Sequence, residues 1–476
     1  MREWEERPKV LAMEFKKDFL FGVATSAYQI EGGFDEDGKG RSIWDTFCDT
    51  PGKVARGETG KVANDHYHRW REDVALMKEL GVNSYRLSLA WTRMFPDGTL
   101  ASRNEKGFEF YNNLIDELIA NGIEPIITLY HWDLPQALQD QGGWNNRNTA
   151  HALAEFAREA AIAFGDRVEK FAPINEPWVV AWLGYGLGYH APGVSDFAQA
   201  IAASHHTVLA HNLSFKAIKS VRPNALVGPV VNQSHPDVDN IFDPKQVRAA
   251  EVFDMNQNLF WMEAFFNGKY PDLAWELYGD RLKNVVQDGD LEMVAHDFIG
   301  VNYYCNARIG HEVAADHPNR ARVIDELAGL SMLGTSMGQL TDMGWPITPY
   351  GLEDLLVRWT EKYSNLPPIY ITENGAAYDE GISDDGQVHD QRRIDYLNDH
   401  LVAVLSAIKR GADIRGYMQW SMMDNFEWAV GYAKRFGIVH VDYETQKRTI
   451  KDSGHWYRKT IEENGRNLLE KTVDFA

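Results

Sequence analysis

The stretch Tyr370-Ile371-Thr372-Glu373-Asn374-Gly375 joins a short apolar run to an acid and a turn signal. The residues from Pro368 to Thr372 are mostly β-branched or aromatic, which is typical of a buried strand. Asn374-Gly375 then predicts a turn. Glu373 is therefore expected at the end of a strand, where its carboxylate faces either a pocket or solvent. Taken alone, the stretch favours the simpler interpretation, a solvated glutamate that opens a loop.

A second acid occupies the same kind of position. Phe171-Ala172-Pro173-Ile174-Asn175-Glu176-Pro177 is another short apolar run that ends in Asn-Glu, and Pro177 stops it. Two carboxylates at the ends of separate strands can cleave a glycosidic bond. One supports or attacks the anomeric carbon, and the other protonates the departing oxygen. Glu176 and Glu373 together therefore indicate a glycosidase.

Short apolar runs alternate with helical periodicity along the chain, which predicts repeated βα units and a parallel sheet. Eight strands are predicted, the number that closes a barrel. They are Phe19 to Thr25, Ser84 to Ser88, Pro125 to Leu129, Lys170 to Ile174, Ala225 to Val231, Phe298 to Val301, Pro368 to Thr372 and Ile414 to Gln419. The predicted fold class is α/β, a single-domain (β/α)8 TIM barrel.

Extended loops after the strands are expected to form the walls of the active-site pocket, as in other barrel enzymes. The longest insertions cover residues 32–60, 178–194, 311–343 and 425–437. No linker or low-complexity segment interrupts the pattern. Residues 15–476 are therefore assigned to one barrel domain and residues 1–14 to an N-terminal extension.

The chain of 476 residues carries a formal net charge of -21 at pH 7. This charge disfavours nucleic acid, an anionic membrane or a sugar phosphate as a partner and suits a neutral ligand. The two cysteines, Cys48 and Cys305, indicate no disulfide framework. Residues 1–17 lack the apolar core of a signal peptide, and no apolar run reaches the roughly 18 residues that span a bilayer. A cytoplasmic protein is expected.

If the eight strands are parallel, the polar side chains at their carboxyl ends share one mouth. Amide, imidazole and carboxylate groups can bind the hydroxyls of a neutral sugar, and indole rings can stack on its C–H face. The candidates are Gln29, Arg86, His131, Trp132, Asn175, Glu176, Asn302, Tyr304, Glu373, Trp420, Glu427 and Trp428. Each also has a structural explanation, such as a barrel salt bridge for Arg86 and a hydrogen-bonding core histidine for His131.

The motifs Asn175-Glu176-Pro177 and Thr372-Glu373-Asn374-Gly375 resemble the two signatures of glycoside hydrolase family 1, the β-glucosidase family. The resemblance extends from about Phe15 to about Tyr457. It implies that Glu373 is the nucleophile and that Glu176 is the general acid and base. It also implies that Arg86 and Tyr304 contact the nucleophile.

The resemblance assigns further residues to the sugar that is cleaved. It implies that Trp420 stacks beneath the sugar ring. The side chains implied to hold the hydroxyls are Gln29, His131, Asn175, Glu427 and Trp428. Trp132, Asn302 and Phe436 are assigned to the same sugar site, and the leaving-group side is expected to be lined by Trp178, Leu183, Tyr303 and Trp345.

The predicted chemistry depends on charge. Arg86 is expected to lower the pKa of Glu373, and the charge of Glu373 is expected to raise the pKa of Glu176. Glu176 then acts first as an acid and later as a base, and two inversions retain the β configuration. For a retaining enzyme the two carboxyl groups are expected about 5 to 5.5 Å apart.

The predicted substrate is a β-glucoside or cello-oligosaccharide cleaved at its terminal non-reducing glucosyl residue, with β-galactosides and β-fucosides as further substrates. A phospho-β-glycosidase is disfavoured, because Glu427 would face the phosphate. A non-catalytic sugar-binding barrel is the alternative from another class. No metal or cofactor is expected, since His66 and His68 point to different sides of a helix. The oligomeric state is left open.

Overall fold

The computed structural model describes residues 14–238, 240–310, 331–332 and 339–469. Within them, eight parallel strands form the wall of a barrel, which confirms the predicted fold class. The strands are β1 Leu20–Ala24, β2 Ser84–Ser88, β3 Glu124–Tyr130, β4 Lys170–Ile174, β5 in two segments, Leu226–Val227 and Val230–Gln233, β6 Ile299–Tyr303, β7 Ile369–Asn374 and β8 Ile414–Trp420.

The barrel closes through parallel pairing of β8 with β1, in register from Leu20 opposite Gly416 to Ala24 opposite Trp420. Strand β5 spans the other side of the wall in two segments. Its first segment pairs with β4 and its second with β6. The single strand predicted over residues 225–231 is thus interrupted at Gly228 and Pro229, because proline has no N–H to donate to the ladder.

Nine α-helices of eight or more residues occur in the described part of the chain. They are α1 His66–Glu79, α2 Glu105–Ala120, α3 Asn148–Phe164, α4 Phe197–Val221, α5 Pro244–Asp254, α6 Phe260–Asn267, α7 Pro349–Lys362, α8 Gln391–Lys409 and α9 Asp452–Glu462. A π-helical segment, Met255–Leu259, joins α5 to α6. No helix of the described residues is long and apolar enough to cross a membrane.

The loops carry shorter elements. The helical ones are Ala27–Ile30, Ile43–Cys48, Ala55–Gly57, Trp91–Met94, Leu100–Ser102, Gly143–Asn145, Gln136–Gln139, Val179–Gly186, Asp272–Tyr278, Asp280–Lys283 and Trp428–Ala433. Two small sheets comprise Pro236–Val238, Ala307–Gly310 and Ser331–Met332, and Val439–Val441 with Arg448–Ile450. Except for Asp272–Tyr278 and Asp280–Lys283, these elements lie between the carboxyl end of a strand and the next long helix, as the predicted insertions do.

The chain enters the barrel at Phe15, which is 4% exposed and whose ring lies 4.4 Å from that of Phe19, centroid to centroid. The N–H of Phe15 donates to the carbonyl of Asn464, so the two ends of the described chain are joined. Of the predicted N-terminal extension, all but Glu14 lies outside the described residues. Most of the predicted loop 311–343 also lies outside them.

The loop after β8 is held by a buried ionic cluster. Asp424 accepts hydrogen bonds from Lys451 (2.8 Å), Arg435 (2.9 Å) and the N–H of Gly437 (3.0 Å), and both Asp424 and Lys451 are 0% exposed. Burial acts to raise the pKa of Asp424, but Lys451 and Arg435 outweigh it and hold this pKa below its ordinary value. The cluster therefore fixes the start of the segment that carries Glu427 and Trp428.

Asp424→Asn is expected to destabilise the fold by about 3 to 5 kcal/mol, because Lys451 would remain buried without its charged partner. Urea or thermal unfolding of the variant measures this loss. The control is Asp413→Asn, which breaks an ion pair with Arg415 whose side chains are 51% and 55% exposed. That pair is expected to contribute less than about 1 kcal/mol. Equal losses in both variants would contradict a structural role for Asp424.

Candidate active site

The carboxyl ends of the strands bring both predicted acids to one mouth. Glu176 follows β4 and is 4% exposed, and Glu373 is the next-to-last residue of β7 and is 3% exposed. The two carboxyl groups interact electrostatically, since the charge of Glu373 contributes to the pKa of Glu176. The carboxyl groups are thus neighbours, although their separation of about 5 to 5.5 Å stays a prediction.

Each oxygen of the Glu373 carboxyl group accepts a hydrogen bond. Arg86, from β2, donates from Nη1 to Glu373 Oε1, and the Tyr304 hydroxyl donates to Oε2 at 2.7 Å. Both contacts were predicted from the resemblance. The residues after the acid fix the strand end: Asn374 Nδ2 donates to the carbonyl of Tyr303 at 2.6 Å. At Gly375 a Cβ would come within 1.7 Å of the Trp420 carbonyl, so only glycine fits there.

Glu176 is presented by an unusual backbone. Its φ is +49°, in the left-handed region that side-chain-bearing residues seldom adopt. Its N–H donates to the carbonyl of Val230, in the second segment of β5, at 3.0 Å. Asn302 Nδ2 donates to Glu176 Oε1 at 2.7 Å. The acid is therefore held both through its main chain and through its carboxyl group.

The environments of the two acids differ. Burial raises the pKa of Glu176 well above its ordinary value, and the charge of Glu373 raises it further. Burial also raises the pKa of Glu373, but Arg86 and Tyr304 counteract this effect. Arg86 lowers the pKa of Glu373, as predicted, but desolvation is the larger effect and leaves this pKa above its ordinary value. The predicted order, with Glu176 the weaker acid, agrees with the hydrogen bonds, since Arg86 and Tyr304 both donate to Glu373.

Asn175 and His131 form a polar floor beside Glu176. Asn175 Oδ1 accepts from Arg86 Nη2 at 2.6 Å, and its Nδ2 lies 3.1 Å from His131 Nε2. Burial lowers the pKa of His131 well below its ordinary value, and the charge of Arg86 lowers it further, so the imidazole is neutral. Trp132 is turned by a φ of +77° and donates from Nε1 to the carbonyl of Asn175 at 3.0 Å.

Gln29 and Glu427 come from the segments after β1 and β8. Gln29 Nε2 donates to the Phe426 carbonyl at 2.9 Å and to Glu427 Oε2 at 3.4 Å, and the Ser26 hydroxyl donates to Gln29 Oε1 at 2.6 Å. Burial, followed by the charge of Glu373, raises the pKa of Glu427 to about 8. A carboxyl group and an amide are thus paired where two neighbouring sugar hydroxyls can be bound.

Indole rings complete the mouth. The Trp420 ring is stacked against His131, with centroids 5.8 Å apart, and the Trp428 ring lies 6.0 Å from the same imidazole. The Trp428 ring packs on the Trp44 ring and is stacked on the Tyr28 ring, with centroids 4.6 and 6.2 Å apart, respectively. Sequence reasoning missed Trp44 and Tyr28 as supports. Their signal was weak, since Trp44 lies in the first insertion and Tyr28 just before it, both far from either motif.

The predicted leaving-group side is only partly assembled at the mouth. Trp345 packs on Tyr304 and Phe436, with ring centroids 5.4 and 6.0 Å away. Trp178 is half-buried and donates from Nε1 to Asn256 Oδ1 at 2.6 Å, and Leu183 is half-buried in the π-helical segment Val179–Gly186. Asn256 was not among the candidates, because it lies in the π-helical segment after α5, remote from both motifs in sequence.

Tyr303 is the exception among the predicted residues. It is 0% exposed, and its hydroxyl donates to Asn306 Oδ1 at 2.7 Å and to the Thr348 carbonyl at 2.6 Å. Its neighbours Asn302 and Tyr304 reach the mouth, so strand alternation turns Tyr303 to the outer face of the barrel wall. The expectation that Tyr303 lines the leaving-group side is wrong.

Among the residues that the structure describes, no group of three or more His, Cys, Asp or Glu side chains could hold a metal ion. The donors at the mouth are instead two carboxyl groups of different pKa, a third carboxyl group paired with an amide, a neutral imidazole and stacked indoles. Such a set can bind a neutral polyol and supply one group to attack and another to exchange a proton.

Comparison with known proteins agrees with this arrangement. The family model described as glycosyl hydrolase family 1 matches residues 11–466. Beta-glucosidase A of Thermotoga maritima is 45% identical over 455 residues, which cover 95% of this chain and 98% of that protein. The bifunctional beta-D-glucosidase/beta-D-fucosidase of Bifidobacterium breve is 41% identical over 95% of this chain and 99% of that protein.

The fold is equally similar. The solved structure of the beta-glucosidase from Thermotoga maritima in complex with deoxynojirimycin superposes with a TM-score of 0.89 at 43% identity, and covers 96% of this chain and 100% of that chain. A family model over nearly the whole chain and relatives above 40% identity lead to one conclusion: this protein belongs to glycosyl hydrolase family 1.

Proposed function

We propose that this protein is a retaining β-glucosidase that releases terminal non-reducing β-D-glucosyl residues from β-glucosides by double displacement. The observation that carries the proposal is the asymmetric pair of buried carboxyl groups. Glu373 receives hydrogen bonds from Arg86 and Tyr304, and Glu176 receives one from Asn302. Two relatives of the protein are named as β-glucosidases, and one of these also as a β-fucosidase.

In the first half of the reaction, Glu373 attacks the anomeric carbon and forms a glycosyl ester. Arg86 and Tyr304 stabilise its ionised form before the attack. Glu176, whose pKa is raised, transfers its proton to the glycosidic oxygen as the bond to the leaving group breaks. The alcohol departs with that proton, and the sugar remains on the enzyme.

In the second half, esterification has removed the negative charge of Glu373. One cause of the raised pKa of Glu176 is thereby lost, so Glu176 stays ionised and can accept a proton from water. The resulting hydroxide attacks the anomeric carbon, releases Glu373 and leaves the product in the β configuration. The same side chain therefore acts as acid and then as base.

The site suits an unphosphorylated sugar. Glu427 is buried beside Gln29, so a sugar 6-phosphate approaching this side would meet a carboxyl group instead of basic side chains. A phospho-β-glycosidase is therefore disfavoured. Gln29 and Glu427 can accept either epimer at the 4-hydroxyl, which makes β-galactosides and β-fucosides additional substrates. We also propose a cytoplasmic location, which the two free cysteines, Cys48 and Cys305, support.

Glu373→Ala is expected to abolish hydrolysis of a chromogenic β-glucoside, because no other group can form the glycosyl ester. The control is Glu361→Ala, an exposed acid near the end of α7, which should retain wild-type activity. Proton NMR of the first product formed by the wild type should show the β anomer. Initial α-glucose, or equal rates for wild type and Glu373→Ala, would contradict the mechanism; equal rates would favour a sugar-binding barrel.

Glu176→Ala is expected to lose roughly 10² to 10⁴-fold in kcat/KM for a glucoside with an alkyl leaving group, since general acid catalysis contributes that much. A dinitrophenyl glucoside needs no proton and should be attacked at nearly the wild-type rate. Azide should then restore turnover, because this nucleophile needs no general base. Glu169→Ala, at the other end of β4 and exposed, is the control. Equal loss on both substrates would refute the acid/base role.

Tyr304→Phe is expected to move the acidic limb of the kcat/KM profile to higher pH. The hydroxyl donates to the Glu373 carboxylate, so its removal raises the pKa of Glu373, and ionisation of this group then requires a higher pH. Tyr457→Phe removes a buried hydroxyl that donates to the Gly22 carbonyl outside the mouth and should leave the limb in place. An unshifted limb in Tyr304→Phe would contradict the assignment of Glu373 to that limb.

A further inference from the structure

Thr372 stands one residue before Glu373, yet its side chain is directed at the other acid. Its Oγ1 lies 2.6 Å from Asn302 Oδ1, and Thr372 is 1% exposed. Asn302 Nδ2 in turn donates to Glu176 Oε1 at 2.7 Å and to Asn175 Oδ1 at 3.0 Å. The threonine hydroxyl is therefore joined to the Glu176 carboxyl group through a single amide.

Arg86 determines which end of each amide is oxygen. A guanidinium can only donate hydrogen bonds, so the Asn175 atom that lies 2.6 Å from Arg86 Nη2 must be the carbonyl oxygen. The Asn302 atom that faces this oxygen must then be the amide nitrogen. The carbonyl of Asn302 consequently faces Thr372, and the Thr372 hydroxyl must be the donor. In this hydrogen-bond network, the donor and acceptor of each contact follow from those of the preceding contact.

The orientation of Asn302 decides which form of Glu176 is stabilised. An N–H directed at the carboxyl group stabilises its ionised form, whereas an inverted amide would present a carbonyl that can only accept from the protonated form. The charged and titratable groups around Glu176 are Glu373 from β7, Arg86 from β2, Glu427 from the loop after β8, and Tyr304 after β6. Among them the positive charge is that of Arg86, which already pairs with Glu373.

We propose that Thr372 is a positioning residue for the acid/base: its hydroxyl locks the Asn302 amide with an N–H, and not the carbonyl, toward Glu176 Oε1. This inference rests on the proposed function, because it assigns Glu176 two protonation states in one catalytic cycle. Thr372 hydrogen-bonds to Asn302 and reaches Glu176 only through that amide. It acts by supporting the ionised state that Glu176 needs after it has given its proton to the leaving group.

Thr372→Val keeps the shape of the side chain and removes the donor. The kcat/KM for a glucoside with an alkyl leaving group is expected to fall roughly tenfold, the effect of one net hydrogen bond. The basic limb of the pH profile should move to higher pH, because Glu176 loses support for its ionised form. A dinitrophenyl glucoside should be affected little, since its leaving group departs without a proton. Thr372→Ser should restore both the rate and the limb.

Thr128→Val is the matched control. Thr128 lies in β3 of the same barrel and is 0% exposed, and its hydroxyl has no hydrogen-bond partner among the described residues. This variant should leave the pH profile unchanged. The proposal is overturned if Thr372→Val loses activity equally on both glucosides, if its basic limb moves no more than that of Thr128→Val, or if Thr372→Ser fails to restore it.

Thermal unfolding separates these outcomes from a loss of folding. If Thr372→Val does not fold, Thr372→Ala removes the same hydroxyl from a smaller side chain, and the same comparison of two glucosides applies to it. The function itself is tested by different variants. Were Glu176→Ala as active as the wild type on the alkyl glucoside, the proposed function would fail, whereas failure in the Thr372 variants alone would leave it intact.

Discussion

The Arg86 guanidinium is the constraint on which the active site depends. It is 1% exposed and spans the barrel interior, with one nitrogen on the Glu373 carboxyl group of β7 and the other on the Asn175 carbonyl oxygen after β4. A buried cation carries a large desolvation cost, which is offset only when its hydrogen bonds and its counter-charge are in place. Since Arg86 and its two partners come from three different strands, the closed barrel is a condition for the ion pair.

Because a guanidinium cannot accept a hydrogen bond, Arg86 also sets the direction of the polar network. Asn175 must present oxygen to it, Asn302 must present nitrogen to Asn175, and the nitrogen of Asn175 faces a neutral His131. One permanently charged group thus orders a set of neutral side chains whose protons could otherwise be arranged in several ways. The arrangement directs donors at both carboxyl groups, although burial still makes each a weaker acid than usual.

Irregularities in the strands of the barrel wall position the active site as much as the regular strands do. Past the break in β5 at Gly228 and Pro229, an isolated parallel bridge pairs Asn175 with Val230, and the Val230 carbonyl accepts from the N–H of Glu176, whose backbone is in the left-handed region. Gly375 permits the close approach of the Trp420 carbonyl, where any side chain would collide. After β8, the buried cluster around Asp424 fixes the loop that carries Glu427. Deviations from ideal strands are thus concentrated at the end that performs the chemistry.

Local patterns in the chain were enough to predict the eight strands to within a few residues, the barrel, and the position of both acids at strand ends, because alternation and turn residues are local properties. Strand alternation also predicts that Tyr303, between Asn302 and Tyr304, faces away from the mouth. The expectation that Tyr303 lines the leaving-group side did not take this alternation into account. Three features emerge only in the folded molecule: burial outweighs Arg86 in the pKa of Glu373, β5 is split, and the Thr372 side chain bonds to Asn302. Desolvation and hydrogen-bond partnership are sums over residues far apart in the chain, so no local pattern contains them.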